Sequence, residues 1–179
     1  MGQSGAEVVD RQNGASRAQI RLGLVWLVVT IVADQAHKLW SIFGLQLKPS
    51  DRFALTPFLD VVYVINRGIS YGMFQMGTRT GQWLLVGFAA LVAVVLCVWL
   101  VRGQHSRIAA ASIGMIAGGA IGNAIDRLHL GGVADFFSLH AFGFYWYVFN
   151  IADVAIVAGV AGLLYDSWRL SRKGAVNHE

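Results

Sequence analysis

Cysteine occurs once in this 179-residue chain, at Cys97. One thiol forms no disulfide within the chain, and no Cys/His spacing for a metal accompanies it. Cys97 lies inside the apolar run Val95-Leu96-Cys97-Val98-Trp99, so it reads as a small apolar residue. Charge is scarce as well. Only 13% of residues are charged and 56% are hydrophobic, against roughly 25% charged in an average soluble domain. The net charge is only +4, and eight of the fourteen basic residues fall into three groups separated by long apolar runs. Arg11, Arg17 and Arg21 form the first, Arg102 and Arg107 the second, and Arg169, Arg172 and Lys173 the third. A nucleic-acid-binding surface needs a continuous basic face, so nucleic acid is excluded as a partner. No lysine follows Gly118-x-x-x-Gly122, which excludes a phosphate-binding P-loop.

What is present is apolar sequence in lengths that cross a membrane. Runs of about 20 apolar residues read as transmembrane helices, and at this chain length one compact unit is expected. The first span is expected at about Leu22 to Phe43. A secretory signal peptide would also begin with a basic region and an apolar stretch. Here no small-x-small cleavage site follows, and Asp34-Gln35-Ala36-His37-Lys38 continues at helical spacing. Further spans are expected at Trp83 to Val101, Ile108 to Ile125 and about Trp146 to Leu164. Gly114, Gly118 and Gly122 recur four apart on the third, a stripe that lets another helix approach closely. The three basic groups belong on the cytoplasmic side by the positive-inside rule, which places both termini there.

Residues 44–80 break the helical pattern. Pro49 and Pro57 punctuate them, and Val61 to Ile65 is a β-branched and aromatic run. Asn66-Arg67-Gly68 supplies turn residues, and Ile69 to Phe74 is expected as a second short strand. The fold expected is an all-α polytopic membrane protein: four transmembrane helices, with a small extracytoplasmic sheet between helices 1 and 2. A disordered cytoplasmic tail is expected over 1–20, the membrane domain over 21–169, and a cytoplasmic C-terminal tail over 170–179. Leu128 to Gly143 reads as an outer loop, and Phe142 to Phe149 as an interfacial aromatic belt.

This topology brings the ionisable groups to one membrane depth. Asp34 and Lys38 stand near the outer end of the first span, and Asn123, Asp126 and Arg127 at the outer end of the third. Asp135 follows in the outer loop, and Asn150 and Asp153 lie in the outer part of the fourth. Asn123/Asp126 and Asn150/Asp153 are i,i+3 pairs, each on one helix face. A buried polar network would pair Asp34 with Lys38 and Asp126 with Arg127. An ion pathway would need polar groups in both halves of the bilayer, and the inner halves have essentially none. Hydrolysis by paired carboxylates needs two that share a proton, one activating water while the other polarises a carbonyl. No Ser/His or Cys/His arrangement competes. The chemistry names Asp153 as one member and leaves Asp126 and Asp135 open as the other.

The motifs, taken in order, resemble a known family. Asp34-Gln35-x-x-Lys38, Asn66-x-Gly68, Gly118-Gly119-x-x-Gly122-Asn123-x-x-Asp126-Arg127, Val133-x-Asp135-Phe136 and Phe149-Asn150-x-Ala152-Asp153 are similar to those of the bacterial lipoprotein signal peptidases (signal peptidase II). The resemblance implies an aspartic endopeptidase of the bacterial inner membrane, its active site toward the periplasmic face. It would remove the signal peptide from diacylglyceryl-modified prolipoproteins, on the N-terminal side of the lipid-modified cysteine. It assigns Asp135 and Asp153 as the catalytic dyad. Asp34, Lys38, Asn66, Gly68, Asn123, Asp126, Arg127, Asn150 and Ala152 fall on positions that bind substrate or support the site. The segment at about 45–77 matches the family's β-cradle. Membrane lipids and a globomycin-type inhibitor are the other implied partners; no metal or organic cofactor is needed, and a monomer is expected. The chain departs from the family's common pattern at Arg67 (commonly Thr), Ala134 (often Val or Thr) and Val154 (commonly Ser), which bears on substrate preference.

Overall fold

The computed structural model of the protein describes residues 5–68 and 78–176. Four helices in it are long and apolar enough to cross a membrane. They are α1 (Gly5–Leu39), α2 (Arg79–Arg102), α3 (Arg107–Leu130) and α4 (Ile151–Val176). Helix α1 runs on into a π-helical segment, Trp40–Gly44, so its apolar span reaches Ser16–Gly44.

Helix α3 is central and packs against each of the other three, whereas α1 and α2 barely touch. Its glycine stripe is the cause. A Cβ on Gly118 would stand 2.6 Å from the Leu27 carbonyl oxygen of α1, and one on Gly114 would strike the Gly23 carbonyl. The expected close approach is therefore made by α1. One residue further round, a Cβ on Gly119 would meet the Ala152 carbonyl oxygen of α4 at 2.6 Å. Van der Waals packing of small residues is what joins helices whose surroundings are already apolar. Helix α2 has the highest mean hydropathy of the four, 3.0, and turns most of its surface outward. Its exposed Phe88, Leu91, Val94 and Val95 suit a lipid-facing wall.

Caps fix the helix ends. Thr78 accepts the Gly81 N–H at 3.1 Å to start α2, and Ser106 accepts the Ala109 N–H at 3.0 Å to start α3. Ser106 also donates to Asp166 of α4 at 2.7 Å, tying the two helices at the end away from the sheet. Helix α3 stops at Gly131, whose φ of 67° is left-handed and readily adopted only without a Cβ.

The other end of the bundle carries one antiparallel sheet in the order β1-β2-β3-β4. Its strands are β1 (Arg52–Thr56), β2 (Leu59–Asn66), β3 (Val133–Ala141) and β4 (Phe144–Phe149). Tyr63 stacks on Phe136 with ring centroids 5.1 Å apart, and Ala134, Ile42 and Leu47 complete that small core.

Several expectations need correction. The sheet is not confined to the segment between the first two helices, because the β3–β4 hairpin between α3 and α4 supplies two of its four described strands. Residues expected as an outer loop and an aromatic belt are these strands. Their β-branched and aromatic side chains favour a pleated backbone. Phe142 (φ 52°) and Gly143 (φ 80°) form the two-residue turn whose positive φ values suit a hairpin. The fourth span accordingly starts at Ile151, not Trp146, and the third runs on to Leu130. Backbone 5–20, expected as a disordered tail, is helical from Gly5. It contains no proline and carries Ala, Glu, Arg and Gln, which propagate a helix already formed by the span. The strand expected at 69–74 lies outside the described residues.

Candidate active site

Helix α4 begins with a reciprocal cap built from two polar residues of the cluster. Asn150 Oδ1 accepts the Asp153 N–H at 3.0 Å, and Asp153 Oδ2 accepts the Asn150 N–H at 3.4 Å. An N-cap amide paired with an acid three residues on is the capping-box arrangement. It locks the Asp153 side chain over the first turn. The next free N–H of that turn, on Ala152, donates to Asp34 Oδ1 of α1 at 3.0 Å. A helix start deep in the fold thus has its orphan donors met by carboxylate and amide oxygens.

The Asn150 amide also faces away from its own helix. Its Nδ2 donates to Asp135 Oδ1 at 2.7 Å and to Asn123 Oδ1 at 3.1 Å. Asn123 in turn donates to Asp153 Oδ1 at 2.9 Å. Asn66, the last residue of β2, donates to the other oxygen of Asp135 at 3.2 Å. Register explains its reach: Asn66 pairs with Val133 and Val64 with Asp135. Asp135 and Asp153 are therefore joined through Asn150, directly and by way of Asn123.

Behind these residues lies a second layer. Lys38 Nζ stands 2.7 Å from Asp34 Oδ2 and 2.8 Å from Asp126 Oδ2, all three groups buried. Gln35 donates to Asp34 at 3.1 Å and to Asp126 at 3.0 Å. Asp126 Oδ2 also accepts the Ala134 N–H at 2.9 Å, which fixes β3 against α3. The pairing of Asp34 with Lys38 is as expected. That of Asp126 with Arg127 is not: adjacent residues on a helix point about 100° apart. Asp126 turns to α1, while Arg127 donates to the carbonyls of Asn123 at 3.3 Å and Gly68 at 3.2 Å.

A cavity of about 260 Å³ opens onto the front layer. Asn66, Gly68, Asn123, Arg127, Asp135 and Asp153 line its polar side. Leu85, Phe88, Ala89 and Val92 of α2, with Ile116, Ala120 and Ile156, form its apolar side. All eleven singled-out residues thus gather at the sheet end of the bundle. Six face the cavity, while Asp34, Lys38, Asp126, Asn150 and Ala152 stand behind and hold them. Asp135 is 2% exposed and its carboxyl is pushed up to about 7. Burial is the main cause and the Asp153 charge adds to it, opposed by the hydrogen bonds from Asn66 and Asn150. A buried acid that exchanges its proton near neutral pH beside a second carboxylate is equipped for general acid–base chemistry.

Comparison with known proteins bears on what that chemistry serves. A family model described as signal peptidase (SPase) II matches residues 26–169. The chain belongs to the signal peptidase II family. Curated relatives named lipoprotein signal peptidase agree over most of their length. One from Methylorubrum extorquens (strain PA1) is 51% identical over 149 residues, covering 83% of this chain and 86% of that protein. One from Methylobacterium sp. (strain 4-46) is 50% identical over 155 residues, covering 86% and 93%. A solved bacterial membrane enzyme superposes with a TM-score of 0.71 at 26% identity, over 82% of this chain and 87% of that one. The chain is accordingly a protease of signal peptidase II type, with membrane character and a place in lipoprotein processing.

Gln35 was not singled out among the candidate site residues, although it bridges both buried acids. Its signal was its place inside the Asp34-Gln35-x-x-Lys38 motif. Tyr147 and Val148 of β4 also line the cavity, hidden within an aromatic run that resembles a membrane-interface belt.

Proposed function

We propose that this chain is an intramembrane aspartic endopeptidase that cuts the signal peptide from diacylglyceryl-modified prolipoproteins, just before the lipid-modified cysteine. Asp135 and Asp153 are the dyad, and water is the nucleophile. The observation that carries this reading is the joint exposure of those two carboxyls to one cavity, with the Asn150 side-chain amide bonded to one and its backbone N–H to the other. Two carboxyls that share a hydrogen-bond network and one cavity take up one proton between them. The ionised member removes a proton from water as its oxygen attacks the scissile carbonyl. The protonated member hydrogen-bonds to the carbonyl oxygen and then supplies a proton to the departing cysteine amine. Donors already fixed on the carboxylates need little rearrangement during the reaction.

The apolar side of the cavity gives acyl chains a lining continuous with the bilayer, and it keeps the dyad partly dry. Asn66, Gly68, Asn123 and Arg127 contact the substrate or its immediate frame. Asp34, Lys38, Asp126, Asn150 and Ala152 keep the dyad in register. The sheet end of the bundle faces the periplasm, and both termini face the cytoplasm. Arg17, Arg21, Arg102, Arg107, Arg169 and Arg172 all stand toward the opposite end, as the positive-inside rule requires. The inner membrane is the setting, a monomer the working unit, membrane lipids the surroundings and a globomycin-type peptide the expected inhibitor.

The test is cleavage of a diacylglyceryl-modified prolipoprotein by purified protein in detergent, with Asp135→Asn, Asp153→Asn and Asp126→Asn beside the parent. Asparagine keeps the size and removes ionisation. The first two are expected to be folded and inactive, and the third to retain activity. If Asp126→Asn is inactive while Asp135→Asn cuts, the dyad is misassigned. If the parent binds precursor and never cuts it, the chain is a binding module and the peptidase reading fails.

A further inference from the structure

Arg127 borders a second cavity, of about 390 Å³, at the same end of the bundle. Its polar side is formed by Arg67, Arg79 and Arg127, and Trp83, Val86 and Leu128 contribute an apolar wall. None of the described residues bordering it is acidic. Among the described residues, none of the three arginines has a carboxylate within 4.0 Å, and the buried Arg127 Nε meets no acceptor. The backbone beside the cavity is held in place, while the Arg67 and Arg79 side chains are exposed. Gln82, in the first turns of α2, donates to the Arg67 carbonyl at 2.8 Å, and Arg127 donates to the Gly68 carbonyl. The start of α2, with its partial positive charge, opens on the same side.

Three guanidinium groups bordering one cavity, none with a carboxylate in contact among the described residues, call for an anion. Guanidinium forks match phosphate oxygens in charge and geometry. The wall beside them says what the phosphate is attached to. Trp83 is 56% exposed and Leu128 50%, on the outward surfaces of two spans, so an acyl chain can run along them from the charged pocket. A zwitterionic headgroup fits poorly, because its ammonium would find guanidinium groups and no carboxylate. Arginines at the sheet end also run against the bias that places basic residues at the other end, and a bound anion accounts for them.

We propose that this cavity binds the headgroup phosphate of an anionic membrane phospholipid, with Arg67 and Arg79 selecting it over a zwitterionic one. The lipid sits against Arg127 and so beside the frame of the dyad's cavity. Arg67 thereby gains a role that the turn motif around it does not require.

Native mass spectrometry of the full chain in detergent tests this, with phosphatidylglycerol and phosphatidylethanolamine supplied in equal amounts. The parent is expected to retain phosphatidylglycerol preferentially. Each arginine should contribute roughly fivefold, so Arg67→Gln/Arg79→Gln should lose on the order of 20-fold in that preference. Arg102→Gln/Arg107→Gln, at the opposite end, should keep it. Equal retention of the two lipids by the parent overturns the proposal, as does an unchanged preference in the Arg67/Arg79 variant. An equal loss in the Arg102/Arg107 variant would reduce the effect to bulk charge and also overturn it. Inorganic phosphate is the further arm: if it displaces the lipid at lipid-like concentrations, the site takes a free anion and not a phospholipid. Should the double variant not fold, Arg67→Gln and Arg79→Gln are read singly, each expected to lose roughly fivefold. No cleavage step enters the readout, so its failure is distinct from failure of the peptidase reading.

Discussion

Asn150 Nδ2 lies 2.7 Å from Asp135 Oδ1, while Asn150 Oδ1 accepts the Asp153 N–H at 3.0 Å. One fully buried amide therefore holds the Asp135 carboxyl at one end and, at the other, the first turn of α4 that carries Asp153. Asn150→Ala removes the donor to Asp135 and the cap of α4 together. The lost cap should cost about 1 kcal/mol of stability. Misplacing a reacting group by about 1 Å costs roughly 100-fold in rate, so cleavage of a lipid-modified precursor should fall by at least that factor. Asn150→Asp keeps an acceptor and adds a third acid, and should be inactive at neutral pH. Near-parental cleavage by Asn150→Ala would show that the dyad is positioned by other contacts.

Lys38 holds the layer behind the proposed dyad. Its ammonium is the shared partner of Asp34 and Asp126, and each contact is under 3 Å. Removing one partner from a buried ion group strands the others, at a cost of about 3–5 kcal/mol. Lys38→Met should therefore lower the thermal midpoint in detergent steeply. Adding Asp34→Asn and Asp126→Asn removes the stranded charges and should recover part of the loss. If the triple variant is no more stable than Lys38→Met, charge stranding is not the cause of the loss.

Much of this was legible beforehand. The depth shared by Asp34, Asn123, Asp126, Asn150 and Asp153 followed from span lengths and i,i+3 spacing. The glycine stripe of α3 announced a close helix contact, made by Gly23 and Leu27 of α1. What stayed hidden depended on tertiary contact. Spacing left Asp126 and Asp135 open as the partner of Asp153, and it could not show that Lys38 of another helix engages Asp126. The β3–β4 hairpin was obscured because Phe144 to Phe149 suits a strand and a membrane-interface belt equally well. The pairing of Asp126 with Arg127 failed because sequence neighbours on a helix diverge in direction.

The Asp135 carboxyl, pushed up to about 7, makes both activity and stability depend on pH. On the proposed dyad mechanism, the shared proton must be present for activity. Cleavage should therefore fall as pH rises through about 7, with the limb belonging to the pair rather than to one acid. For stability, the folded protein binds this proton more tightly than the unfolded chain does. That contribution is fully present below the unfolded value near 4 and is lost as pH rises through about 7. Thermal midpoints of the parent should decline between pH 5 and pH 8, and Asp135→Asn should flatten the decline. An identical slope in the two proteins would place the proton elsewhere.

The last prediction separates packing from chemistry on α3. A Cβ at Gly118 would stand 2.6 Å from a backbone oxygen of α1 and 2.8 Å from Thr30 Cβ. Neither can turn aside as the end of a flexible side chain can. Gly118→Ala must push α1 outward, and overpacking of this kind costs about 1–3 kcal/mol. Since α1 carries Asp34 and Lys38, the displacement should also reach the dyad, through Asp34 and the Ala152 N–H. Gly87 of α2 is the matched control, with nothing within 4 Å of its added Cβ. Gly118→Ala should lower both the thermal midpoint and the cleavage rate, while Gly87→Ala should lower neither. If Gly118→Ala lost stability with cleavage unchanged at a temperature where it is folded, the position of α1 would not be transmitted to the active carboxyls.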